Sequence, residues 1–213
     1  MLHNNLDAAD CYATLIYLQM DRQPLIQTVS WPPTHTMRYV ELAKQLWPKA
    51  KSILLPWDGS ATEVFITSLG NDALPHSIEV IQNFVNNPEI TCIADENIET
   101  PVPLTSVALK KLNVDSDNLI QHTIRGSFVK ANDICFYIWV DGQNQSHDVE
   151  MVFWNDLHFP KTVSDEQHIT TWERIVIFTE QIREGTLNSK CILTPEHNGP
   201  VEELFDHKSI VVW

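Results

Sequence analysis

Two strand-like runs, residues 134–140 and 147–154, are separated by the polar, glycine-bearing stretch 141–146. Strand-forming residues on both sides of such a connection are the pattern of a β-hairpin. In the second run Val149, Met151 and Phe153 fall on one face and Asp148 and Glu150 on the other. That is the period of two that a half-buried strand needs. The second half of the chain is therefore expected to build antiparallel sheet.

A helix is expected to cover that sheet. Ser164, Asp165, Glu166 and Gln167 have the spacing of a capping box, in which serine and glutamine satisfy each other's backbone N–H groups. The segment they open carries Ile169, Trp172, Ile175, Val176, Phe178 and Ile182, and Gly185 follows. So wide an apolar stripe implies burial against a sheet, and glycine suits the helix stop. Residues 190–194 and 209–213 read as two closing strands.

The first half alternates differently. Residues 36–47 form an amphipathic helix with Tyr39, Val40, Ala43, Leu46 and Trp47 on one stripe, and Pro48 is expected to end it. A short strand is then expected over 51–55. In 60–67, capping-box spacing competes with a β-branched composition. Residues 75–85 are a helix with Leu74, Ile78, Ile81 and Val85 inward, and 89–94 a strand. Residues 97–103 are polar and proline-bearing, a boundary signal. A short helix over 104–112 and a loop over 114–118 follow. Nearer the start, strands are expected from Cys11 onward and over 25–31, the latter stopped by Pro32 and Pro33.

Strand–helix–strand alternation implies crossover units with parallel pairing. The expected fold is thus α+β (or α/β): a mixed β-sheet covered by amphipathic helices, with crossover units in the first half and a hairpin plus long helix in the second. One domain over 1–213 suits the length, with two lobes, 1–112 and 119–213, as the alternative.

Composition removes several function classes. The 213 residues are 43% hydrophobic, enough to bury a core. Lys plus Arg number 14 against 28 acids, for a net charge of −14. Gripping phosphates needs a cationic surface, so nucleic acid and anionic membranes are not expected partners. The longest apolar run, 134–140, is far short of a membrane span. The start of the chain lacks the basic residue of a secretion signal. Cys11, Cys92, Cys135 and Cys191 are widely spaced with no CxxC pair, which favours free thiols and a cytoplasmic location.

Charge is unevenly placed. Residues 52–109 and 131–160 contain no Lys or Arg, yet hold thirteen of the 28 acids. Folded onto a common side they would give one strongly negative surface. Trp57 beside Asp58, the pair Asp95 and Glu96, and the outward Asp148 and Glu150 are the expected partner-binding residues, the tryptophan as anchor and the carboxylates as charges. The expectation is a non-enzymatic acidic binding protein, of inhibitor, immunity or assembly-adaptor type, that engages a basic protein.

The competing expectation is a small-molecule hydrolase. Asp58 and the Asp95–Glu96 pair follow expected strands, and ligands of parallel sheets bind outside strand carboxyl ends. Two carboxylates there could act as acid and base or hold a divalent ion. Histidine–carboxylate neighbours occur at Asp156/His158, Glu196/His197 and Asp206/His207, without spacing that makes three ligands converge. There is no GxSxG, GxGxxG or GxxxxGK[ST] motif, and no metal or cofactor is assigned.

Overall fold

The structure, a computed structural model, describes residues 33–94, 96–105, 107–108, 119–128, 131–141, 143–186, 188–196 and 210–213. The strands expected from Cys11 onward and over 25–31, the 114–118 loop, Cys11 and Asp95 lie outside these residues. Helix α1 is Pro33–Leu54 and leads to strand β1, Ala61–Gly70. A 3-10 turn, Asn71–Ala73, opens onto α2, Leu74–Phe84. Strands β2 (Val85–Ile93), β3 (Glu96–Pro103), β4 (Leu119–Phe128), β5 (Ala131–Asp141) and β6 (Ser146–Trp154) follow. Next come the single turn α3 (Asn155–His158) and the long α4 (Asp165–Ile182). Strands β7 (Lys190–Pro195) and β8 (Val211–Val212) close the chain.

The eight strands form one sheet in the order β3-β2-β4-β5-β6-β1-β7-β8, an α+β arrangement. Every ladder between them is antiparallel. The parallel pairing expected for the first half is therefore corrected. Alternating directions make β1 and β2 run the same way, with α2 between them in sequence. The later strands β4, β5 and β6 insert between the two, and no parallel ladder forms among the described residues. The expected hairpin is present as β5–β6, with Asp141 opposite Ser146.

One set of side chains explains why this sheet is single. Register aligns Ile90, Ile124, Phe136, Met151, Val64, Leu193 and Val211 across seven strands. All seven are buried. They face a layer made by α1, α2 and α4, in which Phe178 of α4 meets Phe84, Phe128 and Phe136 at ring-centroid distances of 5.3, 5.7 and 5.6 Å. Such edge-on and tilted aromatic contacts add stability beyond area burial.

Helix α1 runs through Pro48 rather than stopping there, and the strand expected over 51–55 is its last turn and exit. An internal proline costs about 3 kcal/mol. Ala50, Ile53 and Leu54 continue the buried stripe of Tyr39, Ala43 and Trp47 past it, and their burial offsets that loss. Ala43 lets α4 come close: the Trp172 indole N–H donates to the Ala43 carbonyl at 2.9 Å. Asn155 closes the far end. It accepts from the Thr62 hydroxyl at 2.6 Å and donates to the Ile53 carbonyl at 3.2 Å, tying α1, β1 and α3 together.

Other expectations meet the structure unevenly. The 75–85 helix is α2. Residues 60–67 resolve to strand, and 97–103 are strand β3 rather than a boundary. Of the helix expected over 104–112, Leu104 and Thr105 are not helical and Val107 and Ala108 are; 106 and 109–112 lie outside the described residues. The capping box forms at Ser164 and Gln167; α4 ends at Ile182 with Arg183 as its C-cap, and Gly185 takes a left-handed φ of +84° in the turn that follows. Strand β4 had no counterpart in the sequence reading. Within it Gly126 is obligatory, since a Cβ there would collide with Val85 Cγ1 and lie 3.0 Å from the Asn86 carbonyl.

Two substitutions test this core. Phe136→Ala should lower unfolding free energy by about 3–5 kcal/mol in urea titration, the usual range for a fully buried aromatic. Ser164→Ala should cost about 1 kcal/mol through loss of the cap. A loss below about 1 kcal/mol for Phe136→Ala would contradict the proposed core.

Candidate functional site

Strand alternation places a second set of side chains on the sheet face away from the helices. Register sets Arg125, Cys135, Val152, Glu63 and Thr194 in one row. Thr123, Tyr137, Glu150, Phe65 and Ile192 form the next. Gln121, Trp139 and Asp148 form a third. Phe65 and Ile192 are buried and pack with Ile210. Ala61, Cys135 and Val152 form a small apolar cluster flanked by Tyr137 and Trp154.

Between these clusters lie two carboxyl groups. Glu63 is 5% exposed and Glu150 7%. They are diagonal neighbours on adjacent strands, about 7–8 Å apart at Cα. Trp139 donates its indole N–H to Glu150 Oε2 at 2.9 Å, and its ring lies 6.4 Å from that of Tyr137. Burial pushes the Glu150 carboxyl up to about 7, a rise the Trp139 hydrogen bond only partly opposes. A carboxyl in that range can give or take a proton at neutral pH.

The expected site residues are only partly gathered. Asp148 and Glu150 share this face, as their alternation implied, and Glu63 from the first base-free tract joins them. Glu150 is buried, not solvent-facing. Asp148 is half-buried and accepts the Ser68 N–H at 2.8 Å, pinning the β1 irregularity where Ser68 has a φ of +62°. Glu96 opens β3, four strands from β6 and so about 19 Å away.

Trp57 and Asp58 sit in the loop joining α1 to β1. Trp57 was the expected exposed anchor; the structure half-buries it. Its indole N–H donates to the Phe159 carbonyl at 2.6 Å. Its ring lies 6.2 Å from that of His168 and 5.7 Å from Lys161 Nζ. Asp58 is exposed, and hydrogen bonds from the Ser60 hydroxyl and amide hold its carboxyl below the usual range. Those contacts make Asp58 a turn-former beside Gly59, whose φ is +81°.

The strand-end carboxylate arrangement does not form. Asp58 follows a helix and precedes β1. Ile93, the last residue of β2, is level with Ile66 through His122, Ile138 and Val149. The exit of β2 thus lies about 17 Å along the strands from the entry of β1, and four strands across. The acids of the two base-free tracts divide, among the described residues, between buried and exposed positions. Asp72 lies in the 3-10 turn, Glu79 on α2 and Asp156 on α3, all exposed, whereas Glu63 and Glu150 are buried.

The remaining candidates have structural partners. The His158 ring N–H at Nδ1 donates to the Trp154 carbonyl at 3.1 Å, and its ring packs 5.4 Å from Phe153. Among the described residues no three His, Cys, Asp or Glu converge as a metal site; His197, Asp206 and His207 lie outside them. Cys92, Cys135 and Cys191 are free thiols. Cys92 is half-buried rather than in the core, and points its thiol at Asn97 Oδ1, 2.9 Å away. Burial pushes Cys191 up to about 12, which makes it a poor nucleophile.

The sequence reading did not single out His147. It is buried between β6 and α2, with Nε2 2.9 Å from the Ser77 hydroxyl. Burial lowers it to about 4, against smaller raising effects from the Gly70 backbone and Asp72. A histidine at an inward strand position is a detectable signal, but it does not distinguish a core residue from a functional one.

No protein-family description, no curated protein and no solved structure matches this chain.

The two shifted groups make a test. Glu150 holds its proton more tightly folded than unfolded, so its stabilising contribution is complete below pH 4.5 and is lost as pH rises to about 7. His147 takes its proton more readily unfolded, so its contribution is lost as pH falls from 6.5 to about 4. The slopes oppose each other between pH 4.5 and 6.5. Glu150→Gln, which keeps an acceptor for Trp139, should raise stability by about 3 kcal/mol at pH 8 and leave it unchanged near pH 4. Urea unfolding across pH checks this, and a variant profile parallel to the wild type at every pH would refute it.

Proposed function

We propose that this chain is a non-enzymatic acidic binding protein that engages a basic protein partner, as an inhibitor, an immunity-type protein or an assembly adaptor. One observation carries the reading. The stretch from α2 through β3 builds one edge of the sheet, and it exposes Glu79, Glu89 and Glu99 without an ion-pair partner among the described residues. No Lys or Arg occurs between Ser52 and Leu109, so the edge supplies none of its own neutralising charge. Arg125 of β4, opposite Glu89 in register, is the nearest cation across the ladder.

Such an edge accelerates encounter with a cationic surface. It supersedes the expected common face and shifts the contact from Trp57, Asp58, Asp148 and Glu150 toward the β2–β3 side, where Asp95 and Glu96 belong by sequence. The hydrolase alternative has lost its paired strand ends. A cytoplasmic location remains part of the proposal; among the described residues no helix is long and apolar enough to cross a membrane.

The test removes charge without touching the core. A partner captured on the immobilised chain should associate about tenfold more slowly with the Glu79→Gln/Glu89→Gln/Glu99→Gln variant at low salt, and the difference should vanish near 0.5 M salt, where the screening length is only about 4 Å. Equal rates at low salt, or rates indifferent to salt, would remove the electrostatic basis of the reading.

A further inference from the structure

Helix α1 turns Tyr39, Ala43, Trp47 and Leu54 inward. On its other side, residues 37, 41, 44 and 48, and beside them 38, 45 and 49, follow helical spacing and are all exposed. The helix carries four cations, Arg38, Lys44, Lys49 and Lys51, against one acid, Glu41. Across its contact with α4, Lys51 is paired with Asp165 at 3.4 Å, and Glu180 is taken by Arg183 at 2.7 Å. Arg38, Lys44 and Lys49 keep no ion-pair partner among the described residues.

The other end of the sheet is complementary. Helix α1 packs on β7 and β8 and α2 on β2, and five ladder steps, about 24 Å, separate β2 from β7. Around β2 the exposed Glu79, Glu89 and Glu99 lie in a tract without Lys or Arg. One copy cannot bring its own two charged ends together over that distance, but two copies can. Exposed apolar residues mark the same two places. Met37 on α1 is 74% exposed. Val107 is 62% exposed and lies just beyond Leu104, whose N–H donates to the Pro88 carbonyl of β2 at 2.8 Å. An apolar contact ringed by opposite charges has the anatomy of a protein interface.

We infer that the exposed side of α1 receives the acidic β2–β3 side of a second copy of this chain. The inference rests on the acidic edge of the proposed reading and names a basic surface that fits it. Different surfaces meet on the two copies, so the contact is heterologous and runs head to tail. Arg38, Lys44 and Lys49 face Glu79, Glu89 and Glu99 and set the orientation, because pairing like ends would place like charges together. Met37 and Val107 supply apolar contact area.

Sedimentation velocity of the full chain tests this. Near 0.1 M salt the screening length is about 10 Å, which hides the net charge of −14 between two molecules but not charges in contact. The average mass should rise with concentration up to about 1 mM, where a micromolar contact is saturated, and the rise should vanish near 1 M salt. Arg38→Gln/Lys44→Gln/Lys49→Gln and Glu79→Gln/Glu89→Gln/Glu99→Gln should each weaken association about tenfold. An equimolar mixture of the two variants should form a heterodimer with nearly the wild-type affinity, since each supplies the end the other lacks; this excludes misfolding or altered net charge as the cause. A wild-type chain that stays monomeric would overturn the inference and leave the reading of a foreign basic partner standing. Association that the α1 variant keeps, or a mixture that does not pair, would overturn it in the same way. Association lost in the α1 variant but kept in the glutamate variant would overturn the inference and the acidic edge together.

Discussion

The buried row from Ile90 to Val211 is the constraint around which the molecule is arranged. Each member contributes roughly 1.5–3 kcal/mol by leaving water, and together they draw seven strands under one helical layer. A one-residue slip of any strand would turn its inward set to the opposite face. The row therefore fixes which residues appear on the other face, Glu63, Tyr137, Trp139, Asp148 and Glu150 among them. The chemistry of that face is a by-product of register in the core.

The same constraint explains the division between buried and exposed acids. Near the middle of the sheet, on β1 and β6, the outward positions are still covered, and Glu63 and Glu150 are taken from water. Glu150 keeps a neutral carboxyl close to pH 7 because Trp139 is a weaker compensation than water. At the β2–β3 side, where the described strands end, Glu89 and Glu99 remain solvated. Acids from one base-free tract thus play opposite roles. Sequence proximity alone could not separate them, because burial depends on how many strands lie on each side.

Legibility in the sequence followed the range of the interaction involved. The β5–β6 hairpin, α2 and the capping box of α4 rest on neighbours a few residues apart, and each was readable. Helix α1 continues past Pro48 because Ala50, Ile53 and Leu54 find partners distant in sequence. Strand β4 was invisible because its inward positions include His122 and Gly126, which break the apolar alternation. Gly126 is there to admit Val85, a contact forty-one positions away in sequence. Of the candidate site, the alternation of Asp148 and Glu150 was legible. The burial of Glu150, the tethering of Trp57 by Phe159, and the separation of Asp58 from the end of β2 were not, since all three depend on strand order.

The central claim is that a core clamped by the helices supports a charged edge at β2 and β3, outermost among the described strands. Native-state hydrogen exchange measures this residue by residue. The slowest amides are expected in β5, β6 and β1, exchanging through global unfolding, and faster exchange in β3, the outermost strand on its side among the described residues. Protection across β3 equal to that of β6 would contradict it.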